Sequence, residues 1–160
     1  MEFLSPTGVE YTIRQSLETL HPRLRPFALF LNGTEVNVSG DATADFSGFS
    51  PRTINWGVMY NGRRLSAKLN WNYTGRLRDI EVAGAFVPPG TFRYYAPWLQ
   101  MDVSTEFRLT HRLAVFFAAR NLTNASRIIE SYATNTPWYA RLRQESAFGA
   151  MYNFGVKGSF

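Results

Sequence analysis

Hydrophobic residues occupy every second position from Phe148 to Val156 in AFGAMYNFGVKGSF, residues 147–160. Phe148, Tyr152 and Phe154 fall on one parity of this segment, whereas Asn153 and Lys157 fall on the other. A period of two is typical of a β-strand with one apolar and one polar face. Six earlier segments alternate in the same way, the second of them less cleanly, and helical spacing fails in them. The sequence therefore predicts an all-β fold of about seven strands.

The predicted strands are unusually long. Most of them run for about nine to twelve residues, whereas strands of globular proteins usually have about five or six. A tilted strand that crosses a bilayer needs about nine to eleven residues. The predicted strands lie at 9–17, 26–38, 53–60, 65–74, 99–109, 113–122 and 147–160.

Short and long connections alternate along the chain. Asn61-Gly62 is a strong signal for a tight hairpin turn. This alternation is typical of a membrane β-barrel, which has short turns on one side and long loops on the other. It predicts an antiparallel up-and-down meander. The short connections lie at 19–25, 61–62 and 110–112, and the long ones at 39–51, 75–97 and 123–145.

The two faces of the predicted strands differ in chemistry. One face is expected to contact lipid and the other to line a water-filled interior, as in a wide barrel. The predicted lipid-facing residues of the middle strands are Leu69, Trp71, Val103, Phe107, Val115 and Phe117. The predicted lumen-facing residues are Lys68, Asp102, Glu106, Arg108, Arg120 and Lys157. A soluble sandwich that turns its charged face to water is also compatible with this pattern.

Composition narrows the function classes. The chain has 17 Lys and Arg against 12 Asp and Glu, a net charge of +5, but the basic residues are scattered, which argues against nucleic-acid binding. It has no cysteine, so disulfides and thiolate chemistry are excluded. His21 and His111 have no second ligand at metal spacing, and no phosphate-binding loop or nucleophile elbow occurs. We therefore expect no enzyme activity, no metal and no cofactor.

Several stretches together resemble the C-terminal part of a TonB-dependent receptor. They are GVEYTIRQSLETL, FSPRTINWGVMYNGRRLSAKLNWNYTG, LQMDVSTEFRLTHRLAVFFAARNLTNA and GAMYNFGVKGSF, and they cover nearly all of the chain from Gly8 onward. Receptors of this family are outer-membrane transporters with a barrel of about 22 strands. The resemblance implies a location in the outer membrane of a Gram-negative-type bacterium. It also implies energised uptake of a scarce ligand such as a siderophore–iron complex, cobalamin or a glycan.

The last strand is similar to the signal that the barrel-assembly machinery recognises. That signal has the form polar-x-Gly-x-x-apolar-x-aromatic, and Asn153, Gly155 and Phe160 match it. Gly158 stands where a large apolar residue is usual, so the match is partial. The resemblance implies that Phe160 helps insertion. It also implies that the side chains of three residues face lipid, namely Tyr152, Phe154 and Val156.

The resemblance covers only one part of a receptor. Family members also have a signal peptide, a box that contacts TonB and a plug domain, and none of these is recognisable here. We therefore expect residues 1–160 to be the C-terminal segment of a receptor barrel. Its expected partners are outer-membrane lipid, the assembly machinery and the rest of the barrel and plug, with TonB reached only through the missing N-terminal region. The alternative is a soluble or secreted β-barrel or sandwich that binds a ligand.

Overall fold

The described part of the chain folds into eleven β-strands and three single-turn 3-10 helices. A computed structural model describes residues 4–40, 48 and 50–159. The 3-10 turns are Leu17–Thr19, Pro22–Leu24 and Trp138–Ala140. No helix in these ranges is long and apolar enough to cross a membrane. The strands are β1 (Leu4–Ser16), β2 (Phe27–Gly40), β3 (Arg52–Asn61), β4 (Leu65–Thr74), β5 (Leu77–Glu81), β6 (Phe92–Tyr95), β7 (Trp98–Arg108), β8 (Leu113–Arg120), β9 (Arg127–Tyr132), β10 (Leu142–Ser146) and β11 (Met151–Gly158).

Seven long strands form one antiparallel sheet in the order β1-β2-β3-β4-β7-β8-β11. These are the seven strands that the alternation predicts, and each pairs with the next of them along the chain. The prediction of an all-β, antiparallel up-and-down meander is therefore confirmed. Within the described residues the sheet is open, with β1 and β11 at its two edges.

All short connections lie at one end of this sheet. In the β3–β4 turn, the backbone N–H of Gly62 donates to the carbonyl oxygen of Leu65 over 2.8 Å. The β7–β8 turn closes in the same way, with the N–H of Leu109 donating to Leu113 over 2.8 Å. In the β1–β2 connection, His21 Nδ1 accepts from the N–H of Arg23, so this histidine caps a turn. The long connections therefore leave from the opposite end.

The long connections contain a second sheet, which the sequence analysis missed. It assigned 75–97 and 123–145 to loops, and the structure corrects this with four short strands in the order β10-β9-β6-β5. The order repeats that of the long strands β11-β8-β7-β4, so β10, β9, β6 and β5 continue β11, β8, β7 and β4 in turn. We call the residues between each long strand and its continuation a break. The strands have only four to six residues, and their register shifts near Arg78 and near Leu142. These strands are therefore too short and too irregular to show a sustained alternation of apolar and polar residues.

Gly57 is a close-packed position in the centre of the large sheet. It pairs with Phe30 on β2 and with Asn70 on β4. A Cβ added there would lie 2.8 Å from the Phe30 ring and would collide with the carbonyl oxygen of Leu69. The ring can rotate away, but the backbone oxygen is held in the sheet. Only glycine therefore fits without moving a strand.

We expect Gly57→Ala to lower the free energy of unfolding by about 2 kcal/mol, because overpacking in a closely packed site costs about 1–3 kcal/mol. Denaturant unfolding followed by tryptophan fluorescence measures this, since Trp56 precedes Gly57 on β3 and Trp71 lies opposite Trp56 on β4. Gly155→Ala is the matched control, because the Cβ there meets only the Phe116 side chain. Equal stability of the wild-type and Gly57→Ala proteins would contradict the packing argument.

Candidate functional surfaces

The register places all nine residues predicted to face lipid on one side of the large sheet. Residues opposite each other in an antiparallel pair share a face, and such pairs include Leu69 with Val103 and Phe117 with Phe154. The nine are Leu69, Trp71, Val103, Phe107, Val115, Phe117, Tyr152, Phe154 and Val156. We call this side the apolar face. It continues through β1, β2 and β3 with Ile13, Leu29, Leu31, Ile54 and Val58.

The apolar face is open rather than packed into a core. Phe154 is 85% exposed and Val156 is 65% exposed. Among the described residues, the buried apolar side chains are only those of Ala114, Ala119 and Ala133. The two sheets therefore do not enclose a shared hydrophobic core of large side chains.

Aromatic pairs reinforce the apolar face. Trp56 and Trp71 lie opposite each other on β3 and β4 and stack with ring centroids 6.3 Å apart and planes 6° apart. Phe27 and Tyr60 pack 5.0 Å apart at the end that carries the short turns. Such pairs add about 0.5–1.5 kcal/mol beyond the apolar area that they bury.

The opposite side, the polar face, carries all six residues predicted to face a lumen. The structure brings two of them together, since Lys157 Nζ donates to Glu106 Oε2 over 2.6 Å between β11 and β7. Lys68 Nζ instead lies 4.5 Å from the centre of the Phe30 ring. The six are Lys68, Asp102, Glu106, Arg108, Arg120 and Lys157, and Arg108 and Arg120 are exposed.

A chain of amides and one carboxylate crosses the middle of the polar face. Asn70 Nδ2 donates to Asn72 Oδ1 over 2.7 Å, and Asn72 Nδ2 donates to Asp102 Oδ2 over 2.9 Å. The other oxygen of this carboxylate accepts from the backbone N–H of Asn121 over 2.9 Å. Asp102 thus links the polar face to the break between the two sheets.

The predicted assembly signal is described only in part. Asn153 and Gly155 lie on the polar face, and Phe160 lies outside the described residues. Gly155 pairs with Phe116, and a Cβ added to it would lie 2.7 Å from the Phe116 ring. Gly155 therefore has a packing role that the sequence analysis did not identify, because it leaves room for an aromatic ring across the strand.

Asn121 holds together the chain segments that meet at the break after β8. It is buried and has a backbone φ of +52°, a left-handed conformation that asparagine tolerates better than most residues. Its Oδ1 accepts from the N–H of Ala125, and its Nδ2 donates to the carbonyl oxygens of Ala125 and Gly149. One side chain thus ties the start of the β8–β9 connection to the residues before β11.

A cluster of arginine and aromatic side chains covers one face of the second sheet. The Tyr94 and Tyr132 rings stack 4.2 Å apart, with planes 13° apart. Arg76 Nη1 donates to Glu130 Oε2 over 2.5 Å and to the Tyr132 hydroxyl over 2.9 Å. Arg141 lies 4.6 Å from the centre of the Tyr132 ring. The sequence analysis missed this cluster, although FRYY and RIIESY mix the residue types that form it.

Burial raises the pKa of the Tyr94 hydroxyl, and the neighbouring Tyr132 adds to the effect while Arg78 and Arg76 oppose it. Tyr94 is therefore neutral at physiological pH and remains a hydrogen-bond donor. The cluster thus presents phenol groups and guanidinium groups side by side.

Searches for similarity found no matching protein-family model, no matching curated protein and no matching solved structure.

Proposed function

We propose that this chain is a segment of an outer-membrane β-barrel that belongs to a TonB-dependent transporter. The observation that carries the proposal is the apolar face, which continues across all seven long strands and whose large side chains are exposed or half-buried. Monomeric soluble proteins rarely expose contiguous apolar patches larger than a few hundred Å². Contact with acyl chains accounts for this face.

The two ends of the sheet support the same proposal. Short turns lie at one end, and the second sheet extends the long connections at the other. Barrels of the outer membrane have short periplasmic turns and longer loops on the cell surface. On this proposal the second sheet lies outside the cell and the turn at Asn61-Gly62 lies in the periplasm.

A sheet that lies in lipid needs further strands at its edges. Within the described residues, β1 and β11 are the two edge strands of the large sheet. Unpaired backbone groups cost several kcal/mol each in a bilayer, so a sheet in lipid must close on itself. We propose that strands outside this chain pair with both edges and complete the barrel.

The charged residues fit the interior of such a barrel. The Glu106–Lys157 ion pair and the amide chain at Asp102 lie on the side that would face the water-filled lumen. On this proposal the partners are outer-membrane lipid and the barrel-assembly machinery. A plug domain and the TonB system act through regions outside this chain. The assignment to TonB-dependent uptake rests on the sequence resemblance.

Membrane fractionation of cells that express the complete gene product tests the proposal. We expect the protein to sediment with the outer membrane and to migrate faster on a gel before heating than after heating, as folded barrels do. Recovery as a soluble monomer without detergent would overturn the proposal and favour the soluble ligand-binding protein.

A further inference from the structure

The second sheet carries a depression over its neighbouring strands β5, β6 and β9. Its volume is about 390 Å³, within the range of about 300–1,000 Å³ of small-molecule sites. Residues of β5, β6 and β9 and of the β9–β10 connection line it. The lining side chains are Arg78, Phe92, Tyr94, Tyr132, Thr134 and Arg141.

The two arginines at this depression lack carboxylate partners. In the part of the chain that the structure describes, neither Arg78 nor Arg141 lies within 4.0 Å of a carboxylate oxygen. Of the carboxylates on β5 and β9, that of Glu130 forms an ion pair with Arg76, and that of Glu81 accepts from the backbone N–H of Gly90 over 3.1 Å. Among the described residues, the guanidinium groups of Arg78 and Arg141 are therefore not neutralised by a carboxylate in direct contact.

Aromatic rings hold these arginines in place. The Arg78 guanidinium lies 4.8 Å from the centre of the Phe92 ring, and that of Arg141 lies 4.6 Å from the centre of the Tyr132 ring. Arg141 Nε also donates to the carbonyl oxygen of Thr136 over 3.1 Å. A guanidinium group placed in advance loses less side-chain entropy when it binds a carboxylate.

We propose that this depression binds an anionic ligand that carries a planar ring, with Arg78 and Arg141 contacting the anionic group and Tyr94 and Tyr132 contacting the ring. The idea that this ligand is the transported cargo rests on the proposed function. The binding site itself does not require that the protein lies in a membrane. Arginine matches carboxylate geometry through paired N–H groups, and tyrosine adds a flat apolar surface with a polar tip.

Benzoate is a suitable probe, because it is planar and anionic and has little tendency to enter detergent micelles. We expect the purified complete protein to shift the ¹³C resonance of carboxyl-labelled benzoate in a saturable titration. Arg78→Gln and Arg141→Gln should each weaken binding about tenfold, because hydrogen bonds to charged groups contribute more than neutral ones. Benzamide, which lacks the charge, and acetate, which lacks the ring, should bind at least tenfold more weakly.

Arg127→Gln is the matched control. Arg127 also lies over aromatic rings in the same region, 5.0 Å from Tyr95 and 4.9 Å from Trp98, but it does not line the depression. We expect it to bind benzoate like the wild type. Among the described residues the Arg78 guanidinium contacts the Phe92 ring, 4.8 Å from its centre, at the surface of the depression, so Arg78→Gln should keep the fold, and circular dichroism checks this.

The outcomes separate this inference from the proposed function. Equal binding by the wild type, Arg78→Gln and Arg127→Gln would overturn the anion site even if the protein fractionates with the outer membrane. Binding of benzoate that is no tighter than binding of benzamide would also overturn it. Loss of binding in the two depression variants of a soluble protein would support the site and reject the membrane proposal.

Discussion

Phe117→Arg should destabilise the assembled protein by about 2–4 kcal/mol, whereas Leu113→Arg should cost about 0–1 kcal/mol. Arginine on the lipid face of a barrel is strongly destabilising at the midplane of the bilayer and only weakly destabilising near its surfaces. Phe117 lies in the middle of β8, opposite Phe154 and Thr105, and Leu113 begins the strand beside the β7–β8 turn. Folding of the complete protein into phospholipid vesicles, followed by gel mobility before and after heating, measures both costs.

The two side chains are almost equally exposed, so a difference between the variants cannot come from a difference in exposure. Phe117 is 40% exposed and Leu113 is 37% exposed, so a free surface in water would tolerate arginine at both. A covered soluble sheet would lose stability at both. Ala118→Arg is the control, because Ala118 lies next to Phe117 but on the polar face. A difference between Phe117 and Leu113 of less than about 1 kcal/mol would count against the lipid contact.

Asn121→Gly should lower the free energy of unfolding by about 3 kcal/mol. Glycine adopts the backbone φ of +52° without strain, so the cost comes from the side chain alone. Three hydrogen bonds to the backbone of Ala125 and Gly149 disappear, each with a net value of about 1 kcal/mol. Denaturant unfolding of the variant and the wild type measures the loss.

Asn124→Gly is the matched control for this experiment. Asn124 has almost the same conformation, with a φ of +51°, but its side chain is exposed. We expect its replacement to change stability by less than about 0.5 kcal/mol. Similar losses in the two variants would show that the backbone conformation matters and that the buried amide does not.

The fold of the large sheet follows from local pattern. Six of the seven long strands alternate over enough residues to predict both their type and their two faces, β2 alternates less cleanly, and the tight turns predict which strands are neighbours. The second sheet is different, because its register shifts near Arg78 and near Leu142 break the period of two. Short strands that only extend a longer pairing do not need their own sustained pattern.

The two faces of the large sheet could be predicted from the sequence, whereas the arginine–tyrosine cluster and the contacts of Asn121 could not. The residues of the apolar and polar faces come from alternation alone, and the register groups them as expected. The arginine–tyrosine cluster brings Arg76 beside Tyr132, which are 56 positions apart in sequence. Asn121 belongs to a stretch that carries the resemblance, but its hydrogen bonds include those to the distant Asp102 and Gly149. Such contacts require the pairing of strands to be known first.

The repeated strand order of the two sheets has a consequence for protein engineering. The hairpins β5–β6 and β9–β10 both begin and end at the breaks. On the other side of each break, the long strands remain paired in the large sheet. Because β6 pairs with β9, the two hairpins can be treated together as one cassette with four joints, at Gly75, Pro97, Asn121 and Gly149. Grafting new hairpins between these joints offers a library of ligand preferences on a scaffold whose strand pairs stay unchanged.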